Sequence, residues 1–285
     1  NYTGLIMKKL LITDLDNTLY DWVSFYAQSF SAMFDKLVEI LEVSRDELTN
    51  DFKKVHLKHG NSEYPFATLE LESVKRKFNG VSKEIVLSEL DEAFHAFNSV
   101  RKRTLVCYPG VLETLEELKS RGVVIVGHTE APVRNALFRL ESLGLKKYLK
   151  HLYAPNDRYY DDLDRNSKNW VESYGDFIFK LSEDEKKPNP HLLGDICYRE
   201  CVDLKDAIYV GDSIIKDISM ANSAGIESIL ALYGKQHNPD YWNVLVSITH
   251  WSADDVQRES KLKELYSHVI PTYSINKFSE ILDVI

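Results

Sequence analysis

Two aspartates, Asp14 and Asp16, stand two positions apart directly after the apolar run Leu10-Leu11-Ile12-Thr13. Carboxylates held together out of water repel one another and lose hydration, so a buried strand that ends in such a pair needs a cation, hydrogen bonds or a metal beside it. That need makes the pair a candidate for chemistry. The same letters also serve as a turn or a helix cap, and this segment alone leaves both readings open. Two more apolar runs end in polar side chains. Val123-Val124-Ile125-Val126-Gly127 leads to His128 and Thr129, and Ala207-Ile208-Tyr209-Val210 leads to Gly211, Asp212 and Ser213, with Asp217 shortly after. If these runs are parallel strands, Asp14, Asp16, Thr129, Asp212 and Asp217 meet beyond their carboxyl ends, where open sheets bind ligands. Four carboxylates at one edge require a cation, and hard oxygen donors without clustered His or Cys favour Mg2+ over a transition metal. His128 has no partner at ligand spacing and reads as a packed or exposed histidine.

The elements that would position these residues follow from periodicity. Short apolar runs at 10–13, 123–127, 149–154, 207–210 and 228–232 alternate with amphipathic stretches, the pattern of a parallel sheet covered by helices on both faces. Tyr108-Pro109-Gly110 opens a helix that Gly122 ends, and Pro132 and Gly144 bracket a second. Between the first and second strands the period is near 3.6 throughout. Trp22, Phe25, Tyr26, Phe30, Met33, Phe34, Leu37 and Leu41 form one stripe, read as core packing, and further helices are expected over 44–58, 68–78 and 82–97. Residues 155–185 show little periodicity beyond 170–179. A loop of that length is expected to be a lid or disordered, here at the site entrance because it runs into Lys186-Lys187-Pro188-Asn189-Pro190.

The chain has 285 residues, 44% hydrophobic and 28% charged, with a formal net charge of -9. That length holds one large domain or two smaller ones. The negative balance gives no general attraction to nucleic acid or anionic lipid, and no apolar run is long enough for a membrane span. Cys107, Cys197 and Cys201 lack the spacing of zinc sites or disulfide frameworks and read as free thiols. Residues 1–7 lack the pattern of a secretory signal, so a cytoplasmic location is expected.

Taken together, these motifs resemble the haloacid dehalogenase superfamily. Asp14-Leu15-Asp16-Asn17-Thr18 is similar to its first motif, Thr129 to the second, Lys187-Pro188-Asn189-Pro190 to the third, and Gly211-Asp212-Ser213 through Asp217 to the fourth. Tyr108-Pro109-Gly110 resembles the family's return from an inserted cap. Glu130 departs from the small polar residue that often follows the second-motif Thr or Ser. The resemblance implies an α/β fold, a doubly wound parallel (Rossmann-like) core over 1–19 and 106–285, with a mobile α-helical cap domain over 20–105 hinged at 19–22 and 102–108.

The resemblance also implies roles. Asp14 is expected as the nucleophile, forming an aspartyl-phosphate. Asp16 is expected to protonate the leaving oxygen and then deprotonate water, with a pKa raised by its neighbouring carboxylates and partial burial. Lys187 and Thr129 would hold phosphoryl oxygens. Asp14 and Asp212 would bind Mg2+ through side chains and Asp16 through its main-chain carbonyl, while Asp217 would hold a metal water or steady Lys187. In the cap, His56, Lys58, His59 and Tyr64 surround Gly60; the stretch loosely resembles caps of pyrimidine-nucleotide phosphatases, with His56, His59 and Tyr64 as candidate substrate contacts. The leading expectation is a phosphomonoester hydrolase for a small metabolite or nucleotide. The acid at Asp16 argues against dehalogenase and phosphonate-cleaving chemistry, which do without it. A sugar-phosphate mutase of the same superfamily and a catalytically silent phosphate-binding scaffold are the alternatives.

Overall fold

The computed structural model describes residues 7–251 and 253–285. Residues 1–6, assigned above to the start of the core, lie outside the described residues. The chain separates into two compact units, one of residues 1–21, 107–236 and 263–285 and the other of residues 22–106 and 237–262. The breaks after Asp21 and Val106 fall inside the two segments read as hinges.

The first unit is built on a seven-stranded sheet: β1 (Leu10–Thr13), β2 (Val124–His128), β3 (His151–Pro155), β4 (Ile178–Leu181), β5 (Ala207–Gly211), β6 (Glu227–Ala231) and β7 (Tyr273–Ile275). Every pairing is parallel and the order is β4-β3-β2-β1-β5-β6-β7. β1 is fully buried because it is flanked on both sides, Leu10 lying opposite Val124 of β2 and Ala207 of β5. A strand buried on both faces and both edges must read as an uninterrupted apolar run, which is why Leu10-Leu11-Ile12 is legible in the sequence. From β1 the chain builds outward through β2, β3 and β4, then returns to place β5, β6 and β7 on the other side. The order therefore reverses between β1 and β5, the crevice where such sheets bind ligands.

Residues 155–185 are not the structureless lid expected from sequence. They hold the helix Arg165–Glu172 and the edge strand β4, whose Ile178 to Leu181 pair with Leu152 to Pro155 of β3. β4 escaped notice because an edge strand is only half covered: Lys180 is exposed and Leu181 alone is buried. β7 is an edge strand of three residues and was also missed. No helix among the described residues is long and apolar enough to cross a membrane. The three cysteines are free thiols.

The second unit is helical. Its longest helix, Trp22–Leu41, buries Phe25, Tyr26, Phe30, Met33, Phe34, Leu37 and Leu41 of the predicted stripe, while Trp22 at its start is only half-buried, and packs against the helices Asp91–Thr104 and Pro239–Ile248. Ser44 caps Arg45–His59 by accepting from the Glu47 N–H at 3.1 Å, and Gly60 ends that helix at φ 59°. Residues 237–262 belong to this unit rather than to the core in which the sequence reading placed them. The Pro239–Ile248 helix buries Leu245 and Ile248, and the Ile248 carbonyl meets His56 at 2.5 Å. Contacts this distant along the chain leave no trace in local periodicity.

Candidate active site

Asp14 emerges from β1 at the reversal point. Its N–H donates to the Val210 carbonyl of β5 at 2.9 Å, so the backbone is still locked to the neighbouring strand where the carboxylate begins. One tight turn follows, with the Thr18 and Leu19 N–H groups returning to the Leu15 carbonyl at 3.1 and 2.9 Å. Asn17 sits in the left-handed region at φ 59°, which Asn tolerates better than most residues. The turn brings the Thr18 hydroxyl 3.2 Å from Asp14 Oδ2.

β5 delivers the opposing carboxylates. After Gly211 the chain makes a wide turn at Ile214–Ile218, started by the Ser213 hydroxyl accepting from the Lys216 N–H at 3.1 Å. The turn folds Asp217 back, so that its Oδ2 accepts from the Ser213 N–H at 3.1 Å and a Cβ on residue 211 would lie 2.3 Å from that oxygen. Only glycine leaves this room. One carboxylate oxygen from each of Asp14, Asp212 and Asp217 lies within 4.8 Å of the others, all three residues being buried.

Lys187 joins two of them. Its Nζ is 2.8 Å from Asp14 Oδ1 and 2.8 Å from Asp217 Oδ1. Asn189 anchors the approach by capping the helix Pro190–Arg199, accepting from the Leu192 N–H at 3.3 Å. Burial works against the Lys187 ammonium, but Asp14 and Asp217 outweigh it and raise its pKa well above the ordinary lysine value. Burial likewise pushes the Asp14 carboxyl well above its usual range; Lys187 pulls it down, and Asp217 and Asp212 push it up again. Burial raises Asp212 to about 6 against the pull of Lys235, whose Nζ is 3.0 Å from Asp212 Oδ2. Beneath the cluster the Tyr209 hydroxyl lies 3.3 Å from Asp217 Oδ1 and 3.2 Å from His128 Nδ1. His128 is buried, and desolvation followed by the charge on Lys187 lowers its pKa well below the ordinary value, so it is a neutral packed histidine.

Thr129 follows β2, the neighbour of β1, and is 2% exposed. Its Oγ1 accepts from the Ala131 N–H at 3.0 Å, so it steadies the turn before the helix Val133–Ser142 while its hydroxyl hydrogen stays available to a ligand. Glu130 is ion-paired with Lys216.

Asp16 faces other partners than the carboxylate cluster. The Tyr20 hydroxyl donates to its Oδ1 at 2.6 Å, and Arg139 Nη1 lies 3.0 Å from Oδ1 and 3.2 Å from Oδ2. The sequence reading expected neighbouring carboxylates to act on Asp16; the fold instead presents a guanidinium from the Val133–Ser142 helix. Arg139, Tyr20, Tyr209 and Lys235 are the site residues that the sequence reading missed. Arg139 leaves a faint signal as a charge beside the apolar face of an amphipathic helix; the others leave none.

The candidate substrate contacts divide. His56 is 1% exposed, with Nδ1 at 2.5 Å from the Ile248 carbonyl and its ring beside Phe30 and Phe52. It belongs to the interior of the helical unit. His56 stands between Val55 and Leu57 near a helix end, and nothing in that local stretch reveals its partner, the distant Ile248 carbonyl. His59 and Tyr64 do come together: their rings are 3.8 Å apart, His59 Nε2 is 2.9 Å from Glu70 Oε2, and the Tyr64 hydroxyl donates to Glu70 Oε1 at 2.9 Å. Lys58 completes this cluster at 2.7 Å from Glu70 Oε2.

The donor set suits a hard divalent cation. Three buried carboxylates within reach of one another, two of them pushed toward protonation by burial, are what such an ion would relieve, and no sulfur or imidazole donor competes among them.

A family model described as haloacid dehalogenase-like hydrolase matches residues 8–225. The chain is 26% identical over 231 residues to a phosphoglycolate phosphatase of Pseudomonas syringae pv. tomato, covering 81% of this chain and 72% of the relative. It is 23% identical over 282 residues to a glyceraldehyde 3-phosphate phosphatase of Methanopyrus kandleri, covering 98% and 97%. Among solved structures, a 2-haloacid dehalogenase from Pseudomonas syringae pv. tomato superposes with a TM-score of 0.53 at 21% identity, over 98% of both chains. That likeness concerns the fold alone.

Proposed function

Because the chain belongs to the haloacid dehalogenase-like hydrolases, we propose that it is a Mg2+-dependent phosphatase that cleaves a small phosphomonoester through an aspartyl-phosphate on Asp14. The observation that carries this reading is the buried cluster of Asp14, Asp212 and Asp217, with Lys187 bridging Asp14 and Asp217 at 2.8 Å each. Mg2+ would be held by Asp14, Asp212 and Asp217 with the Asp16 main-chain carbonyl, and when bound it supplies charge neutralisation to the carboxylates and the phosphoryl group. Lys187 and Thr129 hold the phosphoryl oxygens, and donors fixed in advance stabilise the charge that develops there. An Asp14 oxygen bonds to phosphorus as the bond to the leaving oxygen breaks, and Asp16 gives that oxygen its proton. Water then surrenders a proton to Asp16 and attacks phosphorus, releasing phosphate and restoring Asp14.

The relatives named above act on short phosphorylated carbon skeletons by their names, which supports a substrate of that size. We assign substrate selection to the helical unit, with His59 and Tyr64 as candidate contacts and His56 excluded by its place in the interior. The test is phosphate release from p-nitrophenyl phosphate, phosphoglycolate, glyceraldehyde 3-phosphate, nucleoside monophosphates and a hexose 1-phosphate, with Mg2+ and with EDTA. Metal-dependent release that Asp14→Asn abolishes is the expected result. Isomerisation of the hexose phosphate without release would replace hydrolysis by mutase action, and no turnover of any ester with metal bound would overturn the reading.

A further inference from the structure

Arg139 lies beside the buried face of the Val133–Ser142 helix formed by Val133, Ala136, Leu137 and Leu140, and is itself 3% exposed. An apolar side chain there would pack without losing hydration, and buried ion pairs often do no better than apolar replacements. Fold stability alone therefore gives little reason for a guanidinium at this position. The guanidinium meets Asp16, whose two oxygens lie 3.0 and 3.2 Å from Nη1. Tyr20, fully buried and bridged along the backbone to both Asp16 and Cys107, donates to Oδ1 of the same carboxylate at 2.6 Å. One group comes from the helix after β2 and the other from the turn after β1, so the carboxylate is restrained from two independent elements.

We propose that Arg139, with Tyr20, is a positioning residue for Asp16: the two groups, from different elements, fix the orientation of its carboxyl group for proton transfer to the leaving oxygen. The inference rests on the general-acid role of Asp16 proposed above. In the first half-reaction Asp14 bonds to phosphorus, the bond from phosphorus to the leaving oxygen breaks, the proton moves from Asp16 to that oxygen, and the negative charge remaining on Asp16 faces the guanidinium. An alkoxide leaving group needs that proton, whereas a nitrophenolate departs without it. The contribution of Arg139 must then depend on the leaving group, which a purely structural ion pair would not produce.

The experiment compares kcat/KM, with Mg2+, on p-nitrophenyl phosphate and on the alkyl monoester that the wild-type protein turns over best. The variants are Arg139→Met, Arg139→Lys and Tyr20→Phe, each checked for folding by circular dichroism and thermal denaturation. Arg139→Met is expected to lower kcat/KM on the alkyl ester about 10- to 100-fold while changing the aryl ester by less than about threefold. Arg139→Lys is expected to recover part of the loss, and Tyr20→Phe to show a smaller loss with the same preference. Equal losses on both esters, or none on the alkyl ester, would overturn the positioning role while leaving the phosphatase reading intact. Should Arg139→Met fail to fold, the same comparison on Tyr20→Phe and Arg139→Lys decides. Absence of turnover by the wild-type protein on either ester would overturn the phosphatase reading and this inference with it.

Discussion

His56 offers a direct test of the division between site and core, because a buried neutral histidine and a substrate-binding one respond differently to acid. Burial lowers its pKa to about 4; the hydrogen bond to Ile248 pushes the other way, and the nearby His250 and His59 add to the lowering. In the unfolded chain the ordinary value of about 6.5 returns. A histidine whose folded pKa lies below its unfolded one contributes stability that is present above the unfolded value and is lost as pH falls toward the folded one, since the unfolded chain takes up the proton first. The difference between the two titrations amounts to about 2 kcal/mol lost between pH 7.5 and pH 5, and about 3 kcal/mol by pH 4. The perturbation is His56→Asn, which keeps a donor for the Ile248 carbonyl and removes the titration. Urea unfolding from pH 5 to 8, followed by fluorescence, should show the wild-type protein losing stability with acid more steeply than the variant by about that amount. The variant should be less stable at pH 7.5, through lost packing against Phe30 and Phe52, yet keep the wild-type order of substrate preference. Parallel pH slopes, or a changed substrate order in a folded variant, would refute the assignment of His56 to the core.

Asp14→Asn should lower phosphate release by about a thousandfold or more and abolish hydroxylamine-sensitive labelling of the protein by phosphate, read by mass spectrometry. Gly234→Ala should destabilise the first unit by about 1–3 kcal/mol, seen as a lower melting temperature, because the new Cβ would lie 2.2 Å from the Asn17 carbonyl oxygen and 2.5 Å from the Asp212 Cβ. Glu200→Gln should cost about 1–3 kcal/mol in chemical denaturation with unchanged kcat/KM. Its carboxylate binds Lys150, His151 and Tyr153 at 2.9, 2.5 and 2.9 Å around the start of β3, and it touches none of Asp14, Thr129, Lys187, Asp212 or Asp217 through these bonds.

The sequence by itself determined the central strands and the polar side chains that stand at their ends. Leu10-Leu11-Ile12 and Ala207-Ile208-Tyr209-Val210 read as strands because both lie where burial is complete, and complete burial permits almost nothing but apolar letters. Asp14, Asp212 and Asp217 stood out because carboxylates at such strand ends need an external reason. The stripe from Phe25 to Leu41 was legible for the matching cause, that a helix covering a core must repeat its apolar face every turn. Edge strands such as β4 escape because half-covered positions admit lysine as readily as leucine.

Tertiary structure alone decided who stands next to whom. His56 and Ile248 are joined across 192 positions, Lys187 and Asp14 across 173, and Arg139 and Asp16 across 123. None of these three pairings was anticipated: the resemblance placed Lys187 at the site and offered Asp217, not Asp14, as the carboxylate that would steady it, and the fold shows it on both. A hydrogen bond or ion pair between distant segments imposes no period and no local propensity, so its two partners look like ordinary polar residues until the chain has folded. The aspartate pair after β1 therefore stood out in sequence as a candidate for chemistry, but that Asp14 is held by Lys187 and Asp16 by Arg139 became visible only with the fold.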